Sequence, residues 1–96
     1  MMVEEAIIVI NCGSSSVKFA LFSPEFESSV RIARGAVERI GIGAGRFSVL
    51  DGSGATILDE TLEVESHAAA IDALLDWLQG TQYMPVSVGH RIVHGG

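Results

Sequence analysis

Residues 10–18 read INCGSSSVK, setting three serines between a glycine and the only lysine of the chain. A tight turn between two strands aims several backbone N–H groups into one concavity, and such nests bind phosphate oxygens. Gly13 permits the turn, because without a Cβ it can take positive φ and let a ligand approach the main chain closely. Ser14, Ser16 and Lys18 are spaced two apart, so in an extended chain their side chains leave one face. Two hydroxyls can donate to phosphate oxygens and the ammonium adds a mobile point charge, which suits a polyphosphate ligand. Asn11 can offer an amide oxygen to magnesium or its waters, or a donor to phosphate. The competing account is a polar hairpin turn with Lys18 a solvated strand residue, since short glycine–serine patterns recur by chance. A strand follows the loop, so it is neither the lysine-bearing nucleotide loop that opens a helix nor a dinucleotide glycine fingerprint.

A second polar group closes the chain in GHRIVHGG, residues 89–96. Arg91 is the residue best suited to a carboxylate or phosphoryl group, because its planar fork donates two parallel hydrogen bonds. The competing account is an ion pair with one of the twelve carboxylates. His90 and His94 have a zinc-like spacing for a helix, but the glycines and the β-rich run argue against a helix there. His67, at the start of a helical stretch, reads as a surface or capping residue. Cys12 reads as a buried thiol acting as a small hydrophobe, with no local base to make it a nucleophile.

The rest of the composition limits what these residues can serve. Ninety-six residues allow one small domain with a modest core. Hydrophobic residues make up 48% of the chain, so some apolar surface should face a partner or further sequence. Twelve acidic residues against six basic ones work against nucleic acid or anionic lipid, so any phosphate site must be local. A single cysteine suits a reducing compartment, and no run approaches the roughly 18 apolar residues of a membrane span. The chain reads as soluble and cytoplasmic.

The elements that must position these groups follow from periodicity. Residues 6–11, AIIVIN, form a continuous apolar run, the pattern of a strand buried on both faces. SVKFALF alternates, giving a strand–turn–strand hairpin around the serines. Residues 30–40 alternate again, with Gly35 a possible bulge. GIGAG and GSG mark turns around two further strands, RFSVLD and ATILDETLEV, and antiparallel pairing is the economical arrangement. The period then changes: Ile71, Leu74, Leu75 and Leu78 form a helical stripe over 67–79, with Ser66 as N-cap and Gly80 at C′. Trp77 beside that stripe reads as packing. Pro85 stops further helix, and a last strand runs into the glycine pair. Because such a terminus leaves a loop unfinished, the chain reads as the N-terminal piece of a longer protein.

Taken together, VINCGSSSVKFALF at 9–22 and VGHRIVHGG at 88–96 resemble the N-terminal region of the acetokinase (acetate/propionate kinase) family, and ERIG at 38–41 fits as well. The resemblance spans essentially all of residues 1–96, about a quarter of a full enzyme of the family. It implies an α/β (α+β) fold, the first lobe of an actin-like ATPase, related to ribonuclease H, with a mixed sheet of antiparallel hairpins and one main helix. It implies reversible transfer from ATP to acetate, giving ADP and acetyl phosphate, with Mg2+. By motif position Asn11 is then associated with magnesium, Gly13, Ser14 and Ser16 with the phosphates, and Lys18 with ATP. Arg91 holds the acyl substrate and transferring phosphoryl group, His90 lies beside it, and Val93 lines the substrate methyl. The resemblance further implies a homodimer for the whole enzyme and no activity for these residues alone, because the other catalytic groups lie beyond Gly96. Cys12 departs from the family's usual alanine, a small-for-small change. Two alternatives stay open: a propionate or butyrate kinase of the same family, and a non-catalytic β-rich interaction module.

Overall fold

The computed structural model describes the backbone of residues 4–24 and 31–92 and the side chains of residues 4–24 and 31–85. Five strands come first: β1 (Glu4–Cys12), β2 (Ser16–Phe22), β3 (Arg31–Glu38), β4 (Gly45–Asp51) and β5 (Thr56–Leu62). Helix α1 (His67–Gln79) and strand β6 (Tyr83–Ile92) follow. The six strands form one sheet in the order β5-β4-β3-β2-β1-β6. The first five pair antiparallel, as expected of hairpin-connected strands, whereas β6 pairs parallel to β1 after the helical crossover.

One face of the sheet carries the core. Alternation buries Ala6, Ile8 and Ile10 of β1, and the register sets Ile10 against Phe19 and Ile8 against Leu21 on the same side. Val37, Phe47 and Val49 extend this face across β3 and β4, and Leu74 and Leu78 of α1 close it. Each such side chain contributes about 1.5–3 kcal/mol through removal from water. Trp77 packs as expected, 5.7 Å from the Phe19 ring and 6.4 Å from Phe47 between centroids.

Several local expectations are corrected. Gly35 is not a bulge: it pairs regularly with Phe19 and Val49, and the register shifts fall at Ala6/Ile7, Leu21/Phe22 and Val49/Leu50. A side chain at Gly35 would run into the Phe19 ring and lie 2.6 Å from the Ser48 carbonyl oxygen, so glycine is required by close approach. Pro85 lies inside β6, opposite Ala6, where an edge position and the register shift spare its missing N–H. Ser66 caps α1 as read, accepting from Ala69 N at 3.1 Å, but Gly80 is itself the C-cap, right-handed at φ −80°. The helix buries Ala70, Leu74 and Leu78, while Leu75 stays 37% exposed at the edge of the stripe.

Strand β1 is not buried on both faces. Ile7 and Val9 are half-buried, since no described element covers the face opposite α1. Exposed Ile42, Ile57 and Met84 fit the expectation of excess apolar surface. Among the described residues no helix is long and apolar enough to cross a membrane.

Candidate functional site

The serine turn joins β1 to β2 at one end of the sheet. Gly13 N donates to Ser16 O at 2.8 Å, which closes the turn without left-handed backbone. Among the described residues positive φ falls at Arg39, Gly41, Gly43 and Gly54, so the expected left-handed Gly13 is not found. The turn is braced from two other elements. Ile40 N, from the turn after β3, donates to Ser15 O at 3.0 Å. His67, the first residue of α1, places Nε2 2.6 Å from Gly13 O. A carbonyl only accepts, so Nε2 carries the proton and donates. His67 is therefore half-buried and tied to the turn, not the surface or capping residue expected.

Three of the turn's carbonyls, those of Gly13, Ser15 and Ser16, thus accept from protein donors. Among the described residues the N–H groups of Ser14 and Ser15, and the hydroxyls of Ser14 and Ser16, make no hydrogen bond. Among the described residues the turn therefore leaves two N–H groups and two hydroxyls open beside one unpaired carbonyl, that of Ser14, an excess of donors of the kind an anion needs.

The neighbouring strands align the other candidates. Asn11 sits opposite Lys18 across the β1–β2 ladder, and Lys18 opposite Ala36 across β2–β3. These positions alternate with buried Ile10, Val17 and Val37, so they lie on the face away from α1. Lys18 is exposed and, among the described residues, pairs with no carboxylate; the ion pair present there is Arg46–Asp59 at 2.7 Å. A shallow concavity of about 250 Å³ runs from Lys18 along Arg34, Ala36 and Ser48. Arg34 brings a second cation to this face. Its proximity to Lys18 is not legible in the sequence, because it depends on the β2–β3 register, which sets Ala36 opposite Lys18.

Parallel pairing of β6 brings the C-terminal group to the same end of the sheet. The register sets Ile10 beside His90 and Asn11 beside Arg91, so positions 18, 11 and 91 form one row on adjacent strands. The side chains of His90 and Arg91, and all of Val93 and His94, lie outside the described residues. Cys12 is half-buried and packs against the core, less enclosed than expected.

Asn11 is the residue of this site that fits a magnesium ion. Its side chain is half-buried and makes no hydrogen bond among the described residues, and its neutral oxygen is a donor of the hard type that Mg2+ takes. No group of three or more His, Cys, Asp or Glu gathers as a cage among the described residues.

Residues 6–96 match the family model of the acetokinase family. The chain belongs to that family. It is 41% identical over 97 residues to the acetate kinase of Moorella thermoacetica, and 37% identical over 92 residues to that of Dichelobacter nodosus. Each alignment covers 94% of this chain but only 24% and 22% of those relatives. The acetokinase segment therefore spans about a quarter of the length of the curated relatives it matches. Among solved structures it superimposes on Porphyromonas gingivalis acetate kinase with a TM-score of 0.76 and 30% identity, covering 96% of this chain and 24% of that one. A propionate kinase from Francisella tularensis gives 0.75 and 34%, covering 96% and 23%. The mixed sheet with one helix is thus the corresponding part of an actin-like ATPase fold.

Proposed function

We propose that these residues form the phosphate grip and part of the acyl-anion site of an acetate kinase, which transfers the γ-phosphoryl group of ATP reversibly to acetate. What supports the reading above all is the single row of positions 18, 11 and 91 beside a turn that presents donors. Ser14 and Ser16 with the turn's N–H groups bind phosphate oxygens, Lys18 compensates their charge, and Arg91 receives the carboxylate with His90 beside it. Val93 lines the space for the methyl group. Asn11 would hold magnesium, directly or through its waters, and the ion would offset the charge of the phosphate oxygens.

Acetate is already ionised at neutral pH, so no proton has to be removed from it. One carboxylate oxygen attacks the γ-phosphorus, the bond to the bridging oxygen breaks, and ADP departs with that electron pair. In such a loose transition state the protein positions the reactants and offsets charge on the equatorial oxygens. Bringing two anions together is the main obstacle, and Lys18 and Arg91 act on it from either side of Asn11.

The test is a protein of full family length carrying this segment, assayed with ATP, Mg2+ and acetate by trapping acetyl phosphate with hydroxylamine. Acetyl phosphate formation supports the reading, and its absence in a folded protein rejects it. These residues alone lack the rest of the site and should not turn over. A propionate kinase is the second reading, favoured by the likeness to the Francisella tularensis propionate kinase. Relative kcat/KM on C2 to C4 acids separates the two, since one methylene in a pocket changes selectivity by about 1–3 kcal/mol. A cytoplasmic homodimer is part of the same reading.

A further inference from the structure

We propose that His67 is a positioning residue for nucleotide binding: by donating from Nε2 to Gly13 O at 2.6 Å, it orients the Gly13–Ser14 peptide so that Ser14 N–H faces a phosphate. The inference rests on the reading of the serine turn as a phosphate grip.

In a planar trans peptide the C=O and the following N–H point in opposite directions. Holding Gly13 O toward the start of α1 therefore turns Ser14 N–H away from the helix, the side of the sheet on which Lys18 lies. Ile40 N does the same for the Ser15–Ser16 peptide through Ser15 O at 3.0 Å. With Gly13 N bonded to Ser16 O, the negative ends of three peptide dipoles are held by protein donors. Without His67 the Gly13 carbonyl can rotate, and it would then present an acceptor to an anion that needs donors. His67 stands on a fixed support, since Ser66 caps α1 and Leu74 and Leu78 of the helix are buried.

The role differs from simple attachment of helix to hairpin, and two polar substitutions distinguish them. A glutamine amide reaches about as far as Nε2, whereas an asparagine amide stops about one bond short. In a protein of full family length, His67→Asn should raise KM for ATP about fivefold and leave KM for acetate within about twofold, the effect of one lost hydrogen bond. His67→Gln should restore KM for ATP to within about twofold of the parent. Thermal midpoints are recorded for both. Equal KM for ATP in the two variants overturns the proposal. So does a parallel rise of both KM values, or an Asn variant that fails to fold while Gln folds, because each assigns His67 a structural role. If the parent makes no acetyl phosphate, the functional reading fails instead. ADP affinity by calorimetry then decides His67 separately, with weaker binding in Asn than in Gln supporting it and equal binding rejecting it.

Discussion

Lys18 and Asn11 face each other directly across the β1–β2 ladder, an ammonium beside a carboxamide at the mouth of the serine turn. Neither side chain has a hydrogen-bond partner among the described residues, although the chain carries net charge −6. Among the described residues no carboxylate pairs with this lysine, which motivates the reading that it serves an anionic ligand.

Lys18→Ala in a protein of full family length should therefore lower kcat/KM for ATP by at least about tenfold, the scale of a charge-assisted hydrogen bond. Because Lys18 is exposed, the circular dichroism spectrum and thermal midpoint should stay the same. Unchanged activity would leave the turn as a plain hairpin and favour an interaction module.

Asn11→Ala should raise the Mg2+ concentration needed for half-maximal activity several-fold, about the loss of one polar contact, at saturating ATP. A titration of rate against free Mg2+ reads this directly. An identical Mg2+ dependence in parent and variant removes Asn11 from the metal's surroundings.

Gly35→Ala tests the core. The added methyl meets the Phe19 ring and the Ser48 carbonyl, and Phe19 is itself packed on Trp77, so little can yield. A destabilisation of about 1–3 kcal/mol is expected in chemical unfolding, the usual cost of overpacking. A variant as stable as the parent would mean that the strands part easily there.

Acid should loosen the β4–β5 hairpin at a defined residue. The Ser53 hydroxyl, followed by the backbone N–H groups of Ala55 and Ser53, holds the Asp51 carboxyl below the ordinary aspartate value. A depressed carboxyl stabilises the fold above its unfolded pKa, and the contribution fades as pH falls through the lower folded value. Carbon-detected NMR should show Asp51 titrating below a free aspartate, and Ser53→Ala should move the midpoint upward. No movement in Ser53→Ala would assign the depression to the backbone alone.

Much of the local structure was legible because it depends on spacing along the chain. The β1–β2 hairpin, the helix over 67–79 and the Ser66 cap follow from alternation, helical period and a capping hydroxyl. Gly35 was misread, because a glycine within an alternating strand looks the same whether it bulges or admits a neighbouring ring. His67 was misread for a similar reason: nothing near residue 67 in sequence indicates a carbonyl at residue 13.

By itself the sequence determined which segments become strands or helix, and which residues, Ser14, Ser16, Lys18 and Arg91, carry chemistry suited to anions. Only the tertiary structure decided that β6 lies parallel beside β1, setting position 91 next to Asn11, and that α1 returns a histidine to the turn. Local patterns are governed by the repeat of the backbone, whereas these contacts join residues some 54 to 80 positions apart, whose meeting depends on how all six strands and the helix share one core.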